Sequence, residues 1–231
     1  MRLRLESHHT PMATEEISHP LFATLYDGLS PMEWLLAPHR RYLATDLEGR
    51  VLDVGAGAGA MFPHVVDERE NDPEQPLEYH AVEPDPHMRK RASRSATEAG
   101  LEVVLRDERA ESLPYPDDSF DVVLSGLVFC TIQDPDAALE EVARVLEPGG
   151  EFRFLEHVHA DGWQGAGQNL LNPLWERLAG GCQLNRETVE RFVCRDEFSA
   201  GELERLEFGV FPVNPIVRGT LYRTRERWLP G

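Results

Sequence analysis

Val51-Leu52-Asp53-Val54-Gly55-Ala56-Gly57-Ala58-Gly59 is the stretch that decides the fold. Arg50–Val54 reads as a short buried strand, Gly55–Gly59 as a glycine turn, and the residues into Glu70 as a helix. A strand that runs into such a turn places a ligand beyond its carboxyl end, where open parallel sheets bind near the switch in strand order. Glycine suits the turn because a side chain would block the ligand's approach to the backbone. Gly55, Gly57 and Ala60 also fit the G-x-G-x-x-A pattern of dinucleotide binders, so the turn alone leaves two ligand classes open.

Working outward, strand and helix alternate. Leu77–Glu83 is the next strand, and Asp85 and Pro86 suit an N-cap and first helical position for a helix to about Ala99. Leu101–Leu105 is a third strand and Ser119–Phe129 a fourth, after the turn Asp117-Asp118. Asp134-Pro135 opens a helix whose apolar face is Leu139, Val142, Val145 and Leu146, and Gly149-Gly150 stops it. Glu151–Val158 is a fifth strand. This alternation predicts an α/β fold, a mostly parallel sheet with helices on both faces. Pro20–Tyr26 and Pro31–Thr45 are expected helices before it. Trp163–Leu178 and Arg186–Cys194 are expected after it, the latter with Asn185 as cap. Leu206–Val213 and Ile216–Arg223 then form a terminal antiparallel strand pair. Residues 1–18 read as a flexible tail and 19–231 as a single domain, with 19–46 and 160–196 covering the active site.

Three features narrow the ligand. Asp53, just before the glycines, would repel a pyrophosphate but not a ligand with an ammonium and a sulfonium. Glu83, ending the second strand, can accept both ribose hydroxyl hydrogen bonds. Arg109-Ala110-Glu111-Ser112-Leu113-Pro114 follows the third strand, where a loop can contact adenine.

Here the chain resembles the class I S-adenosylmethionine-dependent methyltransferases. VLDVGAGAG resembles their first motif, AVEPDP the second, AESLPYPDDSFDVVLS the third and fourth, and LEEVARVLEPGGEFRFLEH the helix and strand that follow. LVFCTIQDP, FLEHV, GGCQLNRET and NPIVRGTL are similar to the methyltransferase-like-seven family of alkyl-thiol methyltransferases, as far as about residue 222. The resemblance implies a Rossmann-like seven-stranded sheet and a methyltransferase using S-adenosyl-L-methionine and releasing S-adenosyl-L-homocysteine. It implies a cofactor site of Tyr26, Asp53, Gly55, Ala56, Gly57, Gly59, Glu83, Pro84, Arg109, Ala110, Glu111, Ser125 and Leu127. Many relatives carry Asp where this chain has Arg109. Arg cannot accept a hydrogen bond, so adenine contact is expected from backbone near Ala110, or from Asp107 or Glu111. Quinone-ring and phospholipid methyltransferases are more distant cousins. A nicotinamide-dependent oxidoreductase or a non-catalytic nucleoside-binding module are the readings from other classes.

On the acceptor side, Ser125, Leu127, Cys130, Thr131, His157 and His159 follow the fourth and fifth strands. His157 is the candidate catalytic base or acceptor contact. His157 and His159 have no evident third ligand, so no metal is expected. Cys130 reads as a small buried residue. Phe22, Tyr26, Trp34, Trp163 and Trp175 in the covering segments read mostly as core packing, with Tyr26 reaching toward the methionine end of the cofactor. Such apolar walls suit a small acceptor, and the resemblance points to a thiol.

Composition excludes other partners. Asp and Glu total 41 against 23 Lys and Arg, a net charge of −18, which would repel a nucleic-acid backbone. No apolar run reaches the roughly 18–20 residues that cross a bilayer, and MRLRLESHHTP has no apolar core, so neither a secretory signal nor the family's membrane anchor is expected. Three cysteines outside any C-x-x-C pair suit a reducing cytoplasm. An acidic surface of this density points to a halophilic source, because salt shortens the Debye length to about 3 Å at 1 M. The melting temperature is therefore expected to fall when potassium chloride is lowered from molar to millimolar; a flat or rising trend contradicts this reading.

Overall fold

Val51, Leu52, Asp53 and Val54 are all buried. A strand with no exposed face belongs in the middle of a sheet covered on both sides, and the fold places it there. The computed structural model describes residues 17–18, 33–70, 73–208 and 210–224. Among them the chain runs α1 (Glu33–Ala44), β1 (Gly49–Val54), α2 (Phe62–Arg69), β2 (Leu77–Val82), α3 (Pro86–Ala99), β3 (Val103–Arg106) and β4 (Phe120–Gly126). It continues as α4 (Pro135–Val145), β5 (Leu146–His157), α5 (Gly162–Leu178), α6 (Thr188–Val193), β6 (Phe198–Leu206) and β7 (Ile216–Arg223).

The seven strands lie in the order β3-β2-β1-β4-β5-β7-β6. Strands β1 to β5 are parallel, and β7 runs antiparallel to both β5 and β6. This is the expected Rossmann-like sheet with its antiparallel pair. The order reverses between β1 and β4, where Val54 lies level with Ser125. The chain leaves β1 toward one edge and β4 toward the other, so their carboxyl ends open a crevice.

The two faces of the sheet bury separate cores. Leu52, Val54, Val123, Phe152 and Phe154 pack against Leu139 and Val142 of α4. Val51, Tyr79, Ala81, Val122 and Leu124 pack against Leu36, Phe62, Val65 and Ala92 of α1, α2 and α3. Neighbouring residues of one strand go to opposite cores because successive side chains alternate faces. The caps expected at Asp85 and Asp134 form, whereas α6 has Glu187 and not Asn185 at its N-cap. Asp85 accepts from the His87 amide at 2.8 Å, Gly100 ends α3 in the left-handed region, and Asp134 accepts from the Ala137 amide at 3.1 Å.

Several boundaries differ from the expectation. The strand before β7 is Phe198–Leu206, whereas Leu206–Val213 was expected. Only its end residues are buried, so this edge strand carries no alternating apolar signal. The apolar run after it lines a cavity instead. β4 stops at Gly126, and Leu127 takes a positive φ of 62°. Helix α4 ends at Val145, and Gly149 and Gly150 lie inside β5 rather than stopping the helix. Trp34 and Trp163 are exposed rather than packed in a core. The expected helix Pro20–Tyr26, with Phe22 and Tyr26, lies outside the described residues, as do Pro31 and Met32 at the start of the next one. No helix among the described residues is long and apolar enough to cross a membrane.

Candidate active site

The turn after β1 is shaped by what faces it. Gly55 has φ +67°, and a Cβ there would lie 2.4 Å from Cγ1 of Val128. Only glycine satisfies both the backbone and its neighbour. From β2 comes Glu83, whose carboxylate is held at both oxygens: Oε2 accepts from the Gly57 amide and Oε1 from the Asp85 amide, each at 2.8 Å. Burial raises the pKa of Glu83, against the two amides that lower it. The side chain therefore stands fixed at the wall of a cavity of about 850 Å³, within the usual range of small-molecule sites.

That cavity gathers most of the residues singled out from the sequence. Gly55, Ala56, Gly57, Glu83, Pro84, Ala110, Glu111, Leu127 and His157 line it. Asp53, Gly59, Arg109 and Ser125 lie outside its wall. Asp53 is buried beneath the glycine turn and accepts from the Tyr79 hydroxyl at 3.2 Å. Burial pushes its pKa from 3.8 up to about 7, opposed by the Tyr79 hydroxyl and the charge of Arg40. The Gly59 carbonyl accepts from the Ser95 hydroxyl at 3.0 Å, fastening the turn to α3. Asp107 is exposed and pairs with Arg89, which leaves Glu111 as the carboxylate beside Ala110. Tyr26 lies outside the described residues.

At the far end the loop after β4 is held by a buried carboxylate. Glu156 Oε1 accepts from the Ser125 hydroxyl at 2.7 Å and from the amides of Val128 and Phe129 at 3.0 and 3.2 Å. The Leu127 amide donates to the Leu155 carbonyl at 2.7 Å. The segment after α5 bolts onto the same loop. Arg186 donates to the carbonyls of Phe129 and Ile132, and the Gln183 amide donates to the Cys130 carbonyl at 3.0 Å. The result brings Cys130, His157 and Cys182 together, all buried and all on the cavity wall. His157 Nε2 lies 3.0 Å from Cys182 Sγ. The Cys130 thiol, together with the contact from His157, lowers the pKa of Cys182, while its interaction with Cys182 and burial raise that of Cys130. His159 is separate, its Nε2 being 3.3 Å from the Gly165 carbonyl.

Three residues escaped the sequence reading. Arg40 is buried, pairs with Glu33 at 3.2 Å and lines the cavity. Its signal was a cation at helical spacing between Leu36 and Leu43. Glu156 was visible as an acid inside an apolar strand. Cys182 lies in the quoted stretch GGCQLNRET, but nothing local joins it to positions 130 and 157.

The methyltransferase domain family matches residues 52–154. Thiol S-methyltransferase TMT1B of Rattus norvegicus is 34% identical over 186 residues, covering 76% of this chain and 71% of that protein. TMT1B of Homo sapiens is 32% identical over 187 residues, covering 76% and 72%. Among solved structures, the YcgJ protein of Bacillus subtilis superposes with a TM-score of 0.61 at 21% identity, over 83% of this chain and 98% of that one.

The buried Asp53 ties stability to pH. The folded chain keeps its proton up to about pH 7, whereas the unfolded chain releases it near ~4. The stabilisation is full below about pH 4 and is lost as pH rises through about 7, with about 4 kcal/mol at stake. Urea unfolding from pH 4 to 8 should show wild type losing stability relative to Asp53→Asn by that order. Parallel profiles for the two proteins would refute the assignment.

Proposed function

Because the chain belongs to the class I S-adenosylmethionine-dependent methyltransferases, alongside the methyltransferase-like-seven thiol S-methyltransferases, we propose that it methylates a small, largely apolar thiol. One observation carries this reading. A single cavity is lined by the glycine turn and Glu83, by the group Cys130, His157 and Cys182, and by the apolar Leu127, Val128, Ile132 and Ile216. Such a wall selects by shape and apolarity with few polar anchors.

The donor end fits the cofactor. Glu83, fixed by two amides, keeps lone pairs for the ribose hydroxyls. Ala110, Glu111 and Pro84 suit the adenine, as Arg109 in this chain cannot accept from its amino group. Gly55, Ala56 and Gly57 present backbone to the amino-acid end, and Arg40 is a buried cation for its carboxylate. Tyr26, outside the described residues, is assigned to the same end on the resemblance alone. Asp53 accepts from Tyr79 behind the wall, while Gly59 fastens the turn to α3 and Ser125 bonds the carboxylate that holds the Leu127 loop. Segments 19–46 and 160–196 are assigned to cover the site, and Trp175 and Leu178 of α5 already line it.

When bound, S-adenosylmethionine supplies a methyl group activated by its sulfonium. The protein's task is to align the acceptor in line and exclude water. A thiol has an unperturbed pKa near ~8.5 and ionises with little help, so His157 is placed as an acceptor contact and no strong base is required. The products are a methyl thioether, S-adenosylhomocysteine and a proton.

Two measurements test this. Glu83→Ala should weaken S-adenosylhomocysteine binding by about 1–3 kcal/mol in calorimetry, through loss of charge-assisted hydrogen bonds; an unchanged dissociation constant in a folded variant removes Glu83 from the site. With labelled methyl donor and a panel of thiols, quinols, phospholipids and amines, short-chain alkyl thiols should yield methyl thioethers. Neighbours differing by one methylene should differ by no more than about 10–200-fold, the discrimination an apolar pocket achieves. Label on a quinol, lipid or amine with thiols untouched would sink the acceptor assignment.

A further inference from the structure

We infer that Cys130, His157 and Cys182 form a site for a thiophilic divalent cation, best matched by zinc, whose fourth position opens to the cavity and takes the sulfur of the acceptor. The inference rests on the thiol reading above and adds to it a metal and a role for three side chains.

The three donors come from separate parts of the fold: the loop after β4, the end of β5 and the segment after α5. One donor atom from each lies within 4.8 Å of the others, and all three residues are buried. Two cysteines and one histidine with a vacant fourth position are a known catalytic donor set for zinc, with bonds of about 2.3 Å to sulfur and 2.0–2.1 Å to nitrogen. A tetrahedron on those bonds needs ligand atoms ~3.5–3.8 Å apart. The 3.0 Å between His157 Nε2 and Cys182 Sγ must open by about half an ångström. Such an adjustment lies within side-chain rotation.

The surroundings hold the donors in place. Arg186 fixes the carbonyls of Phe129 and Ile132 on either side of Cys130. The Cys130 carbonyl accepts from Gln183, next to Cys182, and the Leu184 amide donates to Asn172 at 2.7 Å. A pair of packing thiols would face a core, and a disulfide would leave His157 without a purpose. Instead all three residues face the cavity. Soft thiolate ligands select zinc over magnesium or calcium.

The chemistry balances. The acceptor R–SH displaces water from the cation and releases its proton to solvent, leaving a metal-bound thiolate. A sulfur lone pair attacks the methyl carbon. A new S–C bond forms as the methyl–sulfonium bond breaks, and its electron pair returns to the donor's sulfur. The thioether, a poorer ligand, then leaves, and the cation keeps its charge throughout.

The test reads metal directly. The whole chain, reduced and stripped with chelator, is titrated with Co²⁺ without oxygen. One equivalent should bind, giving sulfur-to-cobalt charge transfer and the intense visible bands of tetrahedral cobalt, displaced by one equivalent of zinc. A short-chain alkyl thiol should shift those bands. Cys130→Ser and Cys182→Ser should abolish or strongly weaken them, while Cys194→Ser, at an exposed position, keeps them. Circular dichroism checks folding, and the wild-type titration decides the matter if a variant does not fold. No tetrahedral spectrum at stoichiometric cobalt, or an equal one in folded Cys182→Ser, overturns the site. Bands that ignore the thiol overturn its role in binding the acceptor. A chain that methylates thiols but takes up no cobalt loses this site and keeps the thiol reading. One that binds cobalt and methylates only quinols or amines keeps the site and loses that reading.

Discussion

The carboxylate of Glu156 is the constraint from which both ends of the cavity follow. It is fully buried, and burial raises its pKa against three donors that converge on one of its oxygens, Oε1. Those donors are Ser125 at the end of β4 and the amides of Val128 and Phe129 beyond it. Holding them forces Leu127 into its left-handed turn, which costs energy for a branched side chain. The turn aims Val128 at Gly55 and sets Cys130 against the segment after α5. The glycine turn and the Cys130 loop are thus set against each other by one buried acid.

A second theme is the stacking of acids under the site. Asp53 and Glu83 are buried close enough for the charge of Glu83 to raise the pKa of Asp53. Arg40 and the Tyr79 hydroxyl offset this, and the amides of Gly57 and Asp85 lower the pKa of Glu83. The sequence places Asp53 at the ligand. The side chain acts from beneath the wall rather than at its surface.

The apolar run after β6 shows why some of the fold could not be read in advance. Phe208, Val210, Phe211 and Val213 have the composition of a strand. The edge strand that is formed, Phe198–Leu206, is polar over most of its length. Sequence pattern reports burial, and burial is reported equally by a sheet face and by a cavity roof. Val210, Phe211 and Val213 are apolar because they close the cavity. Trp34 and Trp163 mislead in the opposite sense, being large apolar residues that the described structure leaves exposed.

What the sequence determined by itself was whatever depends on neighbours along the chain. The glycine turn, the caps at Asp85 and Asp134, the alternation of strand and helix, and Glu83 at a strand end all rest on φ restriction, local hydrogen bonds and periodicity, and all are legible over a few residues. The tertiary structure decided what depends on distant segments meeting. Glu156 becomes a clamp only when β4 and β5 lie side by side, and Arg40 enters the wall only when α1 packs on the sheet. Cys130, His157 and Cys182 become one group only because the strand order reverses between β1 and β4 and Arg186 draws the late segment onto the β4 loop. No local spacing encodes that meeting, because the contacts that create it join residues more than 50 positions apart.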